Sequence, residues 1–559
     1  MKNHIKRLKV ISLAIATAVV AITSQPPSLT QGSISLTKMP PALTQMIAQA
    51  KGKLIPIIVM KTDSSDTVEK YAESLGVDIR LKLEMLNAFA TEVDSATLYK
   101  LANHANVKWV SPDGEVESSA IVPAKRGEGT SLTQLAEYTP MGSPSRSLRV
   151  INAPYVWQMG YTGKGIGVAV IDSGITPFTD LSSPTNRLLA SVDLDGDNIN
   201  STLDDYGHGT HVASVIASNG KATGYMGVAP EANILNVKVA DGRGKAKVSA
   251  VVAGMEWVLR HKATYNIRVA NLSLNTTWAE SYHTSPLNAA AEILWFNNIV
   301  VVTSAGNRGA NTVYAPANDP FVITVGGVAN YGTDTLADDV IATFSSYGRT
   351  ESGFDKPDVV AHAYGIYGVA AKTPAKSSYL YETFPGFRLG TNGFMMTGTS
   401  AAAPLATGAV ATLLHAYPNI TPDQVKYRLK ASAYGAGSWP NYNPTTAGAG
   451  QLDAEEAIRY NTSASANTNI PISKLIVNSG LNNVVGSSVS WNSVSWNSVS
   501  WNSVSWNSVS WNSTAWSSGL QTSIFLQRST TGGNGKVEGD LLAENFDVTL
   551  DKTVTTICS

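Results

Sequence analysis

Short apolar runs without alternation recur between residues 148 and 460 and are separated by helical patterns. The runs are GVAVID (167–172), ANILNVKV (232–239), VANLSL (269–274), NIVVVTS (298–304) and FVITVGG (321–327). Such Val- and Ile-rich segments are typical of strands buried on both faces of a parallel sheet. Helical patterns lie at 209–219, 248–262 and 286–297. Residues 148–460 therefore predict an α/β domain with a doubly wound, mostly parallel sheet, whose reacting groups collect at the carboxyl ends of the strands.

A smaller unit over residues 50–117 shows a different pattern. Strands are predicted for LIPIIVM (54–60), for a stretch across 78–83, for the alternating LNAFATEV (86–93) and for VKWVSPD (107–113). Helices are predicted at 67–76, closed by a glycine, and at 95–104. The resulting order, βαββαβ, is that of a small α+β unit of the ferredoxin-like type.

Polar segments without periodicity flank these units. Residues 118–147 contain many Gly, Ser, Thr and Pro residues and a Lys-Arg pair, and we interpret them as an exposed linker with a processing site. A Ser- and Asn-rich linker is predicted at 461–487, and a C-terminal tail at 518–559. Between them, 488–517 hold five SVSWN repeats and a degraded sixth copy. Because a period of five fits one face of neither a helix nor a strand, a short-coil solenoid and a flexible tract both stay open.

The N-terminus predicts export. Four basic residues within MKNHIKRLK precede the apolar run VISLAIATAVVAIT, which is the pattern of a secretory signal peptide over residues 1–23. The run is shorter than the roughly 20 apolar residues of a membrane span, although an uncleaved anchor is the alternative interpretation. We expect a secreted protein, either extracellular or at the cell surface.

Composition and charge narrow the classes of function. The 41 Lys and Arg residues nearly balance the 42 Asp and Glu residues, so a nucleic-acid partner that is bound by phosphate neutralisation is not expected. The single cysteine, Cys558, excludes a disulfide within the chain and a zinc site built from cysteines.

Three short segments of the α/β region bring together an acid, a base and a hydroxyl. AVIDSGI places Asp172 directly after a buried run, YGHGTHVAS places His208 just ahead of a helix, and MTGTSAAAP places Ser400 at the start of an Ala-rich helix. Each alone is most simply explained as a turn or cap residue. Together, in the order Asp, His, Ser, they supply the groups that nucleophilic catalysis by a serine requires.

At these motifs the chain resembles the subtilisin-like serine proteases, the subtilases, over about 310 residues. The resemblance implies that Ser400 is the nucleophile, that His208 is its general base and that Asp172 orients the imidazole. Asn307, in the segment TSAGN, matches the family's side-chain donor to the oxyanion. Residues 50–117 likewise resemble the inhibitory propeptide of many subtilases.

The resemblance also identifies a substrate-binding strand at Ser273, Leu274 and Asn275. Where subtilases usually have glycines after Ser-Leu, this chain has Asn275 followed by Thr276. We expect these side chains to narrow or alter the pocket for P1, the substrate residue before the cleaved bond.

A metal site is a weaker hypothesis. Asp193, Asp195 and Asp197 lie within five positions, and calcium prefers such clusters of oxygen ligands. A solvated acidic loop explains the cluster equally well. The chemistry itself requires no cofactor, and any Ca²⁺ would be structural.

The sequence thus predicts a secreted serine endopeptidase that acts on protein or peptide substrates. It would be made as a precursor that processes itself, with its own propeptide as an intramolecular inhibitor. The alternative is a surface or wall-binding protein on a protease scaffold, which uses the tryptophan repeats to bind sugars or other chains. Association with a cell wall or surface through these repeats is also compatible with the enzyme hypothesis.

Overall fold

The computed structural model describes residues 38–118, 146–196, 201–330 and 333–477, together with the backbone of four short strands between 527 and 548. The predicted signal peptide (1–23), the SVSWN repeats (488–517) and most of the tail lie outside the described residues. In the part of the chain that is described, no helix is long and apolar enough to cross a membrane.

The helices of the described residues follow one another in this order: α1 (Pro41–Gln49), α2 (Thr67–Ser74), α3 (Ser95–Asn103), α4 (Arg146–Val150), α5 (Ala153–Gln158), α6 (Thr179–Ser182), α7 (His208–Ala217), α8 (Val248–Tyr265), α9 (Pro286–Phe296), α10 (Tyr379–Thr383), α11 (Thr399–Ala416), α12 (Pro422–Ala431), α13 (Pro444–Ala447), α14 (Ala454–Arg459) and α15 (Lys474–Val477). Single 3₁₀ turns lie at Glu84–Leu86 and Pro385–Phe387.

The strands are β1 (Ile55–Lys61), β2 (Leu81–Leu83), β3 (Ala88–Val93), β4 (Val107–Pro112), β5 (Glu115–Ser118), β6 (Gly167–Asp172), β7 (Leu188–Asp193), β8 (Asn233–Lys238), β9 (Lys245–Lys247), β10 (Ile267–Leu272), β11 (Leu274–Thr276), β12 (Val300–Ser304), β13 (Ile323–Ala329), β14 (Val340–Ile341), β15 (Gly348–Arg349), β16 (Asp355–Lys356), β17 (Val359–His362), β18 (Ile366–Val369), β19 (Arg388–Leu389), β20 (Gly393–Met396), β21 (Gln527–Arg528), β22 (Val537–Glu538), β23 (Leu541–Ala543) and β24 (Phe546–Val548).

The N-terminal unit has the predicted order of elements, βαββαβ, with helix α1 added in front. Its antiparallel sheet has the order β2-β3-β1-β4. Because successive side chains of a strand point to opposite faces, β1 serves two cores. Ile57 and Val59 pack with the unit's own helices, whereas Ile58 and Met60 join the apolar core of the larger domain. The unit is therefore docked on that domain through one face of its sheet.

The larger domain is built on an eight-stranded sheet of order β14-β13-β12-β10-β6-β8-β7, with β17 also paired to β13. All of its pairs are parallel except β13 with β14. Every residue of β6, β10, β12 and β13 is buried, because helices cover both faces of the sheet. This confirms the predicted α/β class and the doubly wound, mostly parallel sheet.

A strand that the sequence analysis did not predict joins the two units. Strand β5 follows the N-terminal sheet and lies between β9 and β11 of the larger domain, antiparallel to both. The boundary predicted between the N-terminal unit and an exposed linker, at 117 and 118, lies within this strand. Two of its four residues are glutamates, so its sequence lacks the apolar character that marks the other strands.

The C-terminal end of the described region corrects a second boundary. Residues 461–487 were interpreted as a linker, but 470–477 pack on the α/β domain. Ile472, Leu475 and Ile476 belong to its apolar core. Because most of the residues around them are polar, the overall composition of the segment does not indicate that these three side chains are buried.

Candidate active site

Asp172 and His208 are brought together by the contact between the end of β6 and the start of α7. Asp172 is the last residue of β6, and His208 is the first residue of α7. Gly209 makes this approach possible, because a Cβ at that position would collide with the carbonyl oxygen of Gly174. The Nδ1–H group of His208 donates to Oδ1 of Asp172 over 2.7 Å, and both side chains are buried.

A second carboxylate, which the sequence analysis missed, holds this arrangement. Oδ1 of Asp204 accepts hydrogen bonds from Gly207 N–H (2.6 Å) and from the hydroxyl of Ser173 (2.8 Å), the residue after Asp172. Its Oδ2 accepts from Thr210 N–H at 2.8 Å. Burial raises the pKa of Asp204 to about 6. Asp204 therefore ties the end of β6 to the first turn of α7, and an aspartate four residues before His208 was the available signal.

Ser400 lies in the first turn of α11, as predicted. It is fully buried, and Thr399 begins the helix. Among the described residues, neither the hydroxyl of Ser400 nor Nε2 of His208 has a hydrogen-bond partner. Other buried polar atoms of the described residues also lack partners, Nδ1 of His211 among them, so these two atoms are distinguished by their chemistry. They are a hydroxyl and an imidazole nitrogen, which are the two atoms that must exchange a proton in serine catalysis.

Asn307 is held beside Ser400 through the residue that precedes the serine. Its Oδ1 accepts from both the N–H group and the hydroxyl of Thr399, each at 2.9 Å. The same hydroxyl accepts from Gly306 N–H at 3.1 Å, and Gly306 has a φ of +103°, which favours glycine. These contacts fix the side-chain amide of Asn307 with its NH₂ end directed away from Thr399.

The predicted substrate-binding residues flank the same site but differ in role. The hydroxyl of Ser273 donates to the carbonyl oxygen of Ser400 at 3.1 Å. Leu274 points into the apolar core. Asn275 is 1% exposed, and its amide bridges β11 and the next strand by donating to the carbonyl oxygen of Ser304 at 3.0 Å. The side chain of Asn275 therefore fills space beside the site. Leu274 takes part in the site only through its backbone, which pairs with β5.

Strand β5 occupies the cleft formed by β9 and β11. It pairs along one edge with β11 and along the other with β9, and Ser118 N–H donates to the carbonyl oxygen of Gly244 at 3.1 Å. Its two glutamates form ion pairs across the cleft, Glu115 with Lys245 at 2.7 Å and Glu117 with Arg308 at 3.3 Å. A peptide segment is thus bound by main-chain pairing beside Ser400.

His211 follows His208 by three residues but is held differently. It is fully buried, and its Nε2 hydrogen-bonds the carbonyl oxygen of Ile366 at 2.9 Å. Burial lowers the pKa of His211 to about 4, so this imidazole stays neutral at pH 7.

The acidic segment after β7 does not support the calcium hypothesis. The ammonium of Lys238, which is 1% exposed, lies 3.0 Å from Asp195 and 3.9 Å from Asp193, where a bound cation would have to lie. Asp197 is outside the described residues. Within the described ranges, no group of three or more His, Cys, Asp or Glu residues is arranged to hold a metal ion.

The carboxylate of Asp180, on α6, is also occupied by hydrogen-bond donors. It accepts from Ser218 Oγ (3.0 Å), from Ala222 N–H (2.6 Å), and from the N–H and hydroxyl groups of Thr223. A carboxylate that accepts N–H and O–H donors in this way is not arranged as a calcium ligand.

Comparison with known proteins is consistent with this geometry. The model of the Subtilase family (Peptidase_S8) matches residues 163–487, which is more than half of the chain. Serine protease AprX from Bacillus subtilis is 36% identical over 306 residues, 53% of this chain and 67% of AprX. Subtilisin E from the same species is 30% identical over 378 residues, 67% of this chain and 82% of subtilisin E.

A solved structure shows the same fold. Fervidolysin from Fervidobacterium pennivorans, described as a keratinolytic enzyme related to subtilisin, aligns with a TM-score of 0.55 and 25% identity over 73% of this chain. The alignment spans 61% of the fervidolysin chain. The sequence motifs, the eight-stranded sheet and the match over more than half of its length show that this chain belongs to the subtilase family, the subtilisin-like serine endopeptidases.

Proposed function

We propose that this protein is a secreted serine endopeptidase that uses Asp172, His208 and Ser400 as a catalytic triad and is made as a self-processing precursor. The observation that carries the proposal is the pair of buried, unpartnered atoms, Nε2 of His208 and Oγ of Ser400, next to a peptide strand bound in the cleft. Family membership supports the reaction class.

In the proposed mechanism, the hydroxyl of Ser400 attacks the carbonyl carbon of the substrate while Nε2 of His208 accepts its proton. Asp172 stabilises the imidazolium that forms through the 2.7 Å hydrogen bond to Nδ1. The oxyanion is stabilised by the NH₂ group of Asn307, by the N–H group of Ser400 and by the N-terminus of α11. His208 then gives the proton to the leaving amine, and water hydrolyses the acyl-enzyme by the same steps.

The N-terminal unit is proposed to be the intramolecular inhibitor. Besides strand β5, it contacts the first turn of α8, where Asp113 accepts from the N–H and the hydroxyl of Ser249, both at 2.8 Å. Glu256 of the same helix accepts from the N–H of Met85 at 3.1 Å. The unit thus covers α8 and fills the cleft at once, which would keep other peptides away from Ser400.

The register of β5 suggests which bond is processed. Ser118 lies opposite Leu274, so the next position of a bound chain falls opposite Ser273, whose hydroxyl contacts the carbonyl of Ser400. The carbonyl of a residue at that position would lie beside the nucleophile. In the sequence Ser119 follows Ser118, and we propose that the Ser119–Ala120 bond is cleaved.

The same register bears on the P1 preference. A substrate residue opposite Ser273 directs its side chain to the face on which Asn275 lies, because alternate residues of a strand share a face. The buried amide of Asn275 fills that side of the cleft, so we expect small P1 residues to be preferred. Ser119 is such a residue.

Processing is tested by expressing the wild-type chain and Ser400→Ala. We expect the wild-type product to begin at Ala120 and Ser400→Ala to keep the linker intact. A wild-type chain that retains the linker would overturn self-processing, and an identical product from Ser400→Ala would assign the cut to another protease. Hydrolysis of casein that a serine-directed phosphonylating reagent does not block would overturn the catalytic proposal itself.

Secretion is proposed from residues 1–23, and intact-mass analysis of the culture medium tests it. The wall-binding alternative gains no support, since the repeats on which it depends lie outside the described residues.

A further inference from the structure

A segment at the end of the α/β domain contacts the N-terminal unit directly. Segment 470–477 precedes the SVSWN repeats in the sequence. The Nζ of Lys108, on β4 of the N-terminal unit, donates to the carbonyl oxygens of Lys474 and Leu475, both at 2.8 Å. These two hydrogen bonds join parts of the chain that are 366 and 367 residues apart.

The segment is fixed to the α/β domain by contacts that do not involve Lys108. The N–H group of Ser473 donates to both carboxylate oxygens of Glu292 on α9, at 3.1 and 2.8 Å. The hydroxyl of Tyr282 donates to the carbonyl oxygen of Pro471 at 2.8 Å. Together with the buried apolar residues of the segment, these contacts hold its carbonyl groups in position to accept from the N-terminal unit.

The contact removes a charged group from water. Lys108 is half-buried, and burial lowers the pKa of its ammonium to about 7. A desolvated ammonium is costly unless acceptors replace the lost water, and hydrogen bonds from charged donors are stronger than neutral ones. The two carbonyl oxygens supply those acceptors. Without segment 470–477, the docked N-terminal unit would lose them.

We infer that segment 470–477 is part of the surface that holds the N-terminal unit, so that this segment lengthens the time for which the unit stays bound once the linker is cut. The inference rests on the proposed role of the N-terminal unit as an inhibitor. This surface fits the edge strand β4. It recognises the strand because two backbone carbonyl oxygens of the segment accept from the ammonium of Lys108.

The test measures release of the N-terminal unit from a nicked chain. A site for a foreign, sequence-specific protease is placed within residues 119–145 of the full Ser400→Ala chain, and a fluorophore is attached at the N-terminal end. After nicking, dissociation of the labelled unit is followed by anisotropy. Because the nick is made by another enzyme and the nucleophile is absent, failure of self-processing would not affect the result.

Lys108→Met should raise the dissociation rate about tenfold, as expected for loss of hydrogen bonds from a charged donor. The matched control is Lys100→Met, which changes an exposed lysine of α3 and should leave the rate unchanged. Equal rates for the two variants would overturn the inference.

Chains of two lengths assign the effect to the segment. A chain that ends at residue 477 should keep the slow rate, whereas a chain that ends at 469 should release the unit as fast as Lys108→Met. In the shorter chain, Lys108→Met should have no further effect, since both changes remove the same contact. A further tenfold increase there would show that Lys108 acts elsewhere and would overturn the inference. If the shorter chain does not fold, the comparison of Lys108→Met with Lys100→Met decides alone.

Discussion

Two buried Asp–His pairs lie at carboxyl ends of strands in the same sheet, and they differ in what surrounds the imidazole. At the end of β6, His208 binds Asp172 through Nδ1, and its Nε2 has no hydrogen-bond partner among the described residues. At the end of β17, His362 binds Asp339 through Nε2 at 3.0 Å, and its Nδ1 accepts from the amide of Asn330 at 3.2 Å.

The two pairs differ in the second ring nitrogen of the imidazole, which distinguishes the proposed catalytic pair from a structural one. Both imidazoles are buried and both contact a carboxylate, so neither burial nor the presence of an aspartate identifies the catalytic residue. The second ring nitrogen does. In His362 this nitrogen is satisfied and the ring links two segments, whereas in His208 it has no partner among the described residues and is available to accept a proton.

The largest expected effect is on kcat, and it tests the difference between the two pairs directly. His208→Gln should lower kcat at least about 10⁴-fold, since glutamine cannot accept the proton of Ser400. The matched variant His362→Gln should leave kcat within about threefold and lower the free energy of unfolding by about 1–2 kcal/mol, because it weakens a buried hydrogen bond. Steady-state kinetics and urea unfolding of both variants check this. A large loss of kcat in His362→Gln at unchanged stability would contradict the assignment.

The next-largest effect concerns Asn307, the proposed side-chain donor to the oxyanion. Asn307→Ala should lower kcat by about 10²–10³-fold with little change in KM, a magnitude known from the corresponding donor of subtilisin itself. Asn330→Ala is the control, because this amide contacts the structural pair, and it should not change kcat. Hydrolysis of a chromogenic peptide by both variants provides the measurement, and equal kcat values would remove the oxyanion role.

A substitution of Asp204 tests how much kcat depends on the positions of Asp172 and His208. Asp204→Asn replaces an oxygen acceptor by an NH₂ group that faces the backbone N–H donors, and we expect kcat at pH 8 to fall about 10–100-fold. The control is Asp205→Asn, which breaks only the partly exposed ion pair with Lys376 and should be neutral.

The effect of Asp204→Asn on kcat should also depend on pH, in a direction that follows from the pKa of Asp204. Because burial raises the pKa of Asp204 to about 6, the wild-type carboxylate is itself protonated below that pH and loses acceptor capacity. The ratio of wild-type to Asp204→Asn kcat should therefore shrink as the pH falls through about 6. A ratio that stays constant from pH 8 to pH 5 would show that Asp204 acts only on stability.

The smallest effect is on selectivity. Asn275→Gly should raise kcat/KM for a large apolar P1 residue about tenfold relative to alanine, because removal of the amide opens the side of the cleft. Thr276→Gly, on the opposite face of β11, should leave the ratio unchanged. Paired peptides that differ only at P1 measure it. An unchanged ratio in Asn275→Gly would place the P1 pocket elsewhere.

Much of the fold could be predicted because its signals are local. The central strands are continuous apolar runs in the sequence. The glycines beside His208 indicate, again from the local sequence, that the backbone there packs closely against a neighbouring segment. Strand β5 was missed because Glu115 and Glu117 satisfy their charges with Lys245 and Arg308, which lie 130 and 191 residues away. No local pattern reveals such partners.

The same limit applies to two polar groups near the site. The sequence shows an aspartate four residues before His208 but not the three donors to its carboxylate, which come together only when β6 and α7 pack. Asn275 was noted as a departure from glycine, but its hydrogen bond to Ser304 depends on the neighbouring strand.

The position of Lys238 between Asp193 and Asp195 has a practical consequence. A positive charge on a covalently attached side chain cannot be extracted by a chelator or diluted away, as a dissociable ion can. Asp193 and Asp195 should consequently keep their positions in media poor in divalent cations, because their counter-ion is a side chain of the same protein.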